Sequence, residues 1–282
     1  MSESTALTVA LVQMNSGQSI QANLAQADHY LGQAAGQGAK LAVLPENFAG
    51  MAAADDFRRQ IAETDGQGPI QDALGRLARA HGMWLVGGTI PLLSDADARP
   101  VAACCIYDSA GERRGRYDKI HLFDVDVPDA DEQYRESANT APGQQVLTVP
   151  TPWGRLGVAV CYDLRFPELF GMLAADGAEL IAVPAAFTRP TGRAHWELLV
   201  RSRALDSLAY VAAAGQTGTH PGGRRTWGHS LVAGPWGEVL CHADELPGVY
   251  LVTLDMTQVA SVRKSFPVLQ HRRLQTALKA AE

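Results

Sequence analysis

The stretch GVAVCYDLRFPE, residues 157–168, runs from an apolar segment into a thiol, Cys161, and at once into Tyr162, Asp163 and Arg165. A cysteine at such a point is either packing, since a free thiol behaves as a small buried hydrophobe, or a nucleophile held at the end of a strand by a rigid sheet. The second reading needs the thiolate. A thiol's reference pKa is about 8.5, so a base or a cation must stand nearby. Three residues in comparable settings offer one. Glu46, in LAVLPENF, follows an apolar strand directly, as Cys161 does, and in open α/β sheets sites gather at such strand ends. Lys119, in GRYDKIHLFD, leaves a hairpin strand for a polar loop. Glu136, in YRESANTAPG, ends the next polar loop. Taken singly, each has a plain alternative: a turn acid for Glu46, a solvated surface charge for Lys119 and for Glu136.

Cysteine–histidine chemistry is the rival. His121, His195, His220 and His229 are its candidates. His195 opens a helical pattern and His229 leads into a strand, so both read as structural groups. No protease-like signature surrounds Cys161. Cys104 and Cys105 lie in the middle of an apolar strand and read as core; Cys241 ends an exposed hairpin strand. Four cysteines in 282 residues are no disulfide framework, and adjacent cysteines make a poor bridge. Neither a CxxC pair nor HExxH is present, so no zinc site is expected. A reducing cytoplasm is the expected compartment.

The elements that must position these groups alternate in type. Strand patterns fall at 7–13, 40–45, 83–90, 101–108, 156–162, 179–184, 209–215, 230–234 and 249–255. Helical patterns fall at 20–36, 68–81, 167–176, 194–207 and 257–263. Strands apolar throughout suit a sheet covered on both faces, and the alternation argues an α/β fold. Turns at 108–111 and 234–237 close two hairpins, so the sheets are mixed. GAKLAVLP (38–45) echoes GAELIAVP (177–184), each one helix after a similar strand, which predicts two related strand–helix–strand units.

Composition narrows the partners. Hydrophobic residues make up 46% of the chain and charged residues 19%, enough for a large core. A net charge of −6 argues against nucleic acid or an anionic membrane as the main partner. No apolar run is long enough to span a bilayer, and the N-terminus lacks the basic region of a signal peptide. With no linker or low-complexity stretch, residues 1–282 are expected to form one domain.

Glu after a strand, Lys after a hairpin, Glu in the following loop and Cys after a strand, in this order, resemble the nitrilase superfamily of carbon–nitrogen hydrolases. LPENF, YDKIHLFDVDVP, RESANTAPG, GVAVCYDLRFPE, TGRAHWELLVRSRALD and TWGHSLVAGPWGEVL are all similar to its amidase branch, over nearly the whole chain. The resemblance implies a four-layer α-β-β-α sandwich of two mixed sheets, paired into a homodimer or higher homo-oligomer through outer helices, here 167–176 and 194–207. It implies Glu46, Lys119 and Cys161 as the catalytic set, with Glu136 supporting Lys119. Glu46 would be the general base, Cys161 the attacking group that forms a thioester, and Lys119 with the Tyr162 backbone N–H the oxyanion donors. No metal or organic cofactor is implied.

The implied substrate is a small molecule, the terminal carboxamide of a 2-oxo acid, cleaved with release of ammonia. Within the branch the chain is similar to enzymes of 2-oxoglutaramate and of deaminated glutathione, with the larger expected to be preferred. Nitriles and N-carbamoyl compounds are the alternatives elsewhere in the superfamily. Arg165 and Thr191 are the implied contacts for the substrate acid, and Phe187 the pocket wall. Arg165 has a structural alternative as an ion pair with Asp163 or Glu168. Thr188, Arg189 and Arg193 are expected near the pocket mouth, where a longer tail bearing a second carboxylate could reach them.

Overall fold

In the computed structural model, residues 5–52, 56–127 and 132–274 are described; the N-terminal tail read as a lead into the first strand lies outside them up to residue 4. The first half of the chain holds β1 (Ala6–Gln13), α1 (Ile20–Gly36), β2 (Leu41–Val43), α2 (Phe57–Gln60), α3 (Pro69–His81), β3 (Trp84–Val86), β4 (Ile90–Leu92), β5 (Val101–Tyr107) and β6 (Arg113–Asp118). It continues into the antiparallel pair β7 (Asp124–Val127) and β8 (Glu132–Arg135). The second half holds β9 (Thr148–Thr151), β10 (Gly154–Val158), α4 (Pro167–Ala175), β11 (Leu180–Ala185), α5 (Arg189–Ser207), β12 (Tyr210–Gly215), β13 (Thr217–Thr219), β14 (Arg225–Trp227), β15 (Leu231–Ala233), β16 (Val239–His242), β17 (Gly248–Asp255) and α6 (Thr257–Ser265).

Two large sheets result. The first runs β17-β1-β2-β3-β5-β4, with β6 also on β5; the second runs β16-β15-β12-β11-β10-β9. Each is mixed around a parallel centre, β1-β2-β3 in one and β10-β11-β12 in the other. Strands β2, β11 and β12 are buried along their whole length, which is why they read as unbroken apolar runs.

Period-two alternation sets the layers. On β1, Leu7, Val9 and Leu11 join the core shared with Val158, Ile181 and Val183 of the second sheet. Their neighbours Ala10 and Val12 face outward onto Leu31 of α1 and Leu74 of α3. On β5, Cys104 faces inward and Cys105 outward in the same manner. Helix α5 packs on β12 and β15. The four layers are therefore helix, sheet, sheet, helix. Met14 bridges to Gln216 and ties the exit of β1 to the exit of β12 across the two sheets.

Three expectations shift. The 83–90 run is two strands, because Gly88 takes a left-handed φ of 61° between them. Helix α5 starts at Arg189, not 194, because Thr188 caps it from Thr191 N–H and Pro190 fits the first turn. The 156–162 run stops as a strand at Val158, so Cys161 stands beyond the sheet in a turn of its own. The repeat does appear: β1-α1-β2 and β10-α4-β11 are both parallel strand–helix–strand units. Nothing in the sequence reading anticipated β7-β8, β13-β14 or α2.

Candidate active site

Glu46 lies three residues past β2, beyond Pro45. Its backbone carbonyl accepts from Gln216 Nε2 at 3.1 Å, so the exit of β12 in the second sheet fixes a loop of the first. Ser16 reinforces this by donating to the Phe48 carbonyl at 2.8 Å while accepting from Gln216 Nε2 at 2.7 Å. Asn47 has a left-handed φ of 55°, and its N–H donates to Thr89 Oγ1 at 2.8 Å. The sharp turn presents the Glu46 carboxylate inward, where the residue is 3% exposed.

Lys119 follows β6 and is held by its N–H on the Ala102 carbonyl at 3.0 Å. It is 1% exposed. An ammonium buried this deeply requires charge partners, and it has two: Nζ donates to Glu46 Oε1 and to Glu136 Oε2, each at 2.8 Å. Glu136 Oε2 also accepts from Phe123 N–H at 2.8 Å, and Glu136 Oε1 from Arg58 Nη1 at 3.1 Å. Two carboxylates thus meet two cations in one closed network. Burial pushes the Lys119 ammonium toward neutrality, but the Glu136 and Glu46 charges override it and hold its pKa above the ordinary lysine value. Burial likewise opposes the Glu136 charge, and Lys119 and Arg58 together win, bringing the carboxyl down to about 2. Two of the three ammonium N–H bonds are taken by carboxylates, which leaves one donor for a substrate oxygen.

Cys161 is built differently. Strand β10 runs into Val160, still extended, and Cys161 then takes a left-handed φ of 49° at the head of a 3₁₀ turn over Cys161–Arg165. A non-glycine residue held in this region carries strain that the surroundings must overcome. Asp163, 0% exposed, supplies the restraint. Its Oδ2 accepts from Val160 N–H at 2.8 Å and Tyr117 O–H at 2.7 Å. Its Oδ1 accepts from the His121 N–H at 3.2 Å and from His121 Nδ1 at 2.7 Å. The thiol sulfur accepts from Ala186 N–H, one residue past β11, at 3.5 Å.

Burial pushes the Cys161 thiol well up, and the neighbouring Glu46 carboxylate pushes it further; the Lys119 charge and the Ala186 N–H offset only part of this. The thiol thus sits in surroundings that disfavour its ionised form. A thiol in such surroundings needs a base beside it to act as a nucleophile, and Glu46 is the neighbouring carboxylate.

A cavity of about 440 Å³ opens over these groups. Glu46, Lys119, Glu136, Cys161, Tyr162, Arg165, Phe187 and Thr191 all line it. Tyr162, whose N–H the resemblance implies as an oxyanion donor, lines the cavity as the second residue of the 3₁₀ turn. Arg165 makes no ion pair with Asp163 or Glu168: Asp163 is occupied as above. The guanidinium instead lies 5.8 Å from the Tyr162 ring centre and 5.6 Å from that of Phe187, with one nitrogen 3.3 Å from His195 Nδ1. Thr191 is close by, its hydroxyl 2.8 Å from that of Thr188 at the start of α5. Gly192 keeps this turn against β14, since any Cβ there would meet Trp227.

Thr188 lines the cavity but Arg189 and Arg193 do not. Arg189 pairs with Glu245 at 3.2 Å on the surface, and Arg193 is exposed. The sequence reading missed Arg58, Asp163, Arg224 and the Ala186 N–H. Asp163 could have been noticed as an acid inside an otherwise apolar strand exit. Arg58 and Arg224 sit in polar segments, FRRQ and GGRRT, that look like any solvated loop. Among the described residues no three His, Cys, Asp or Glu side chains gather in a metal-holding group, and no helix is long and apolar enough to cross a membrane.

The carbon-nitrogen hydrolase family profile matches residues 8–264. A deaminated glutathione amidase of Yersinia enterocolitica is 42% identical over 271 residues, covering 96% of this chain and 94% of the relative. Human omega-amidase NIT2 is 36% identical over 270 residues, covering 95% of this chain and 96% of the relative. Among solved structures, Saccharomyces cerevisiae Nit3, a member of branch 10 of the nitrilase superfamily, superposes with a TM-score of 0.84 at 32% identity, over 95% of this chain and 97% of that one. The Caenorhabditis elegans NitFhit protein superposes with a TM-score of 0.85 at 34% identity, over 98% of this chain and 68% of that longer one.

Proposed function

We propose that this chain, which belongs to the carbon-nitrogen hydrolase family and is an amidase of linear amides, cleaves the amide of a 2-oxo acid with Cys161 as nucleophile and Glu46 and Lys119 as its partners. The observation that carries the residue roles is the buried contact of Lys119 Nζ with both Glu46 and Glu136 at 2.8 Å, beside a Cys161 thiol whose pKa burial and the Glu46 charge raise. Cys161 Sγ attacks the amide carbonyl as Glu46 takes its proton. Lys119 Nζ and Tyr162 N–H receive the oxyanion, each such donor contributing roughly 2.7–4 kcal/mol to the barrier reduction. Glu46 returns the proton to the departing nitrogen and the thioester forms. Glu46 then activates water, which releases the acid and restores the thiol. Glu136 positions Lys119.

Arg165 and Thr191 hold the acid group of the substrate, and Phe187 walls it. Deaminated glutathione is the substrate this reading favours; 2-oxoglutaramate is the alternative. The leaving group is ammonia from a primary carboxamide and a peptide amine from deaminated glutathione. Enzymatic detection of released 2-oxoglutarate, with kcat/KM compared for the two compounds, decides between them. A clear preference for 2-oxoglutaramate would make the chain an omega-amidase, and no release from either would withdraw the 2-oxo acid reading. The same reading places the chain in a reducing cytoplasm as one domain. It forms a homodimer through α4 and α5, supported by the exposed Leu198 and Leu205 on α5. A monomer by light scattering at micromolar concentration would remove the dimer.

A further inference from the structure

Four arginines line the cavity: Arg58, Arg135, Arg165 and Arg224. Arg58 is paired with Glu136 and Arg135 with Asp126. Arg165 and Arg224 have no carboxylate partner among the described residues. Arg165 is accounted for by the substrate acid. Arg224 is not. Its Nη2 donates to the Ala186 carbonyl at 3.0 Å, its guanidinium lies 5.1 Å from the centre of the Tyr134 ring, and its Nε is buried with no hydrogen-bond partner among the described residues. A buried donor left unmet carries a desolvation penalty that an acceptor would relieve.

Both cations stand beside residues that adjoin the thiol. Arg165 stands over Tyr162, Tyr162 packs edge-on to Phe123 at 5.1 Å, Phe123 packs on Tyr134 at 5.1 Å, and Arg224 stands over Tyr134. A chain of ring contacts therefore links the two cations. Cys161 adjoins Tyr162 in the chain, and its sulfur is bonded to the N–H of the same Ala186 whose carbonyl Arg224 holds. The loop bearing Arg224 is fixed from beneath by His220. Its Nδ1 bonds the Ser16 carbonyl at 2.9 Å and its Nε2 bonds Thr226 Oγ1 at 2.7 Å, and its own N–H donates to the Arg224 carbonyl at 2.8 Å.

We propose that Arg224 is the binding group for a second carboxylate, carried by the leaving amine, so that the cavity takes a substrate with an acid at each end and the scissile amide between them. This rests on the amidase reading and on Arg165 as the clamp of the acyl-side acid. It replaces Arg189 and Arg193, which the sequence placed in this role and the structure puts on the surface. A planar guanidinium that lines the cavity suits a carboxylate better than a lysine would.

The test uses a matched pair: 2-oxoglutarate joined through its terminal amide to a dipeptide with a free C-terminal carboxylate, and the same compound with a C-terminal carboxamide. In the wild type, kcat/KM for the carboxylate form should exceed that for the carboxamide form by at least about tenfold, the scale of one charge-assisted contact. Arg224→Gln should collapse this ratio toward one, whatever loss both compounds share, and Arg224→Lys should restore part of it. An equal loss on both compounds with the ratio intact would show that Arg224 only supports Ala186, and would overturn the proposal. Binding of the same pair to Cys161→Ala, with and without Arg224→Gln, is read by calorimetry. If Arg224→Gln selectively weakens the carboxylate form there while the wild type cleaves neither compound, the second-acid site stands and the amidase reading falls. If neither compound binds, both fall.

Discussion

The units β1-α1-β2 and β10-α4-β11 share a parallel topology and the paired stretches GAKLAVLP and GAELIAVP, yet they bring different chemistry to the cavity. In the first unit the exit of the second strand carries the acid, Glu46, and the exit of the first strand carries only anchors: Met14 bridging to Gln216 and Ser16 bonded to Phe48. In the second unit the exit of the first strand carries the thiol, Cys161, and the exit of the second offers a backbone N–H, that of Ala186. The surroundings differ as well. Glu46 belongs to a closed network of four charges with Lys119, Glu136 and Arg58. Cys161 is held by neutral donors converging on Asp163. A repeated strand–helix–strand unit thus supplies two platforms, and the proposed reaction takes one group from each. Neither unit is a site alone, and the lysine comes from a third place, the end of the β5-β6 hairpin.

The sharpest way to break this division is to delete the thiol. Cys161→Ala should lower kcat on the order of 10⁶-fold, the scale seen when a covalent nucleophile is removed, with the fold retained by circular dichroism. Mass spectrometry of wild type with substrate should find an acyl adduct on the peptide containing Cys161. An adduct on Cys104, Cys105 or Cys241 would dissolve the comparison.

Next come the charges of the first platform. Glu46→Gln keeps the shape and removes the proposed base, and should cost about 10²- to 10⁴-fold in kcat. Lys119→Ala should cost about 10²- to 10³-fold through the oxyanion. It should also cost about 3–5 kcal/mol of stability, because two buried carboxylates lose their shared cation. Rapid kinetics and urea unfolding on the two variants separate these effects. A Lys119→Ala protein as stable as wild type would show that the network is not the closed unit described here.

A smaller effect is expected where the second platform meets substrate. Arg165→Lys should raise KM about tenfold for acidic amides, since the planar fork is lost, and less for a short neutral amide. Equal changes for both would return Arg165 to a packing role against Tyr162 and Phe187.

The smallest concerns pH. Glu136 has its carboxyl held at about 2 against an ordinary value of 4.5. A depressed carboxyl adds stability that is fully present above the ordinary value and is lost as pH falls from there toward 2. The stability gap between wild type and Glu136→Gln in urea should therefore be widest near neutrality and narrow between pH 4.5 and pH 3. A gap that grows on acidification would show that Glu136 is not held ionised by Lys119 and Arg58.

The sequence by itself determined the central strands, since runs such as LIAVPA and YVAAAG are buried on both faces and must read as apolar throughout. It also marked Glu46 and Cys161, because a polar or reactive residue at the end of such a run interrupts the pattern abruptly. Lys119 and Glu136 looked individually like surface charges, and the order of motifs, not any local property, singled them out. The tertiary structure alone decided the rest. Whether a charge is solvated or buried depends on what other segments cover it, so Lys119 could be seen as an ion-network centre only once Glu46 and Glu136, from remote loops, stood 2.8 Å away. Arg58 and Arg224 face the cavity while Arg189 and Arg193 do not, although all four lie in similar polar stretches. Side-chain direction in a loop is set by the backbone path, and for Arg224 that path is fixed by long-range bonds from His220 to Ser16. The left-handed turn at Cys161 is likewise held by contacts from Asp163 to Tyr117 and His121, more than forty residues earlier in the chain, and local sequence carries no trace of partners that distant.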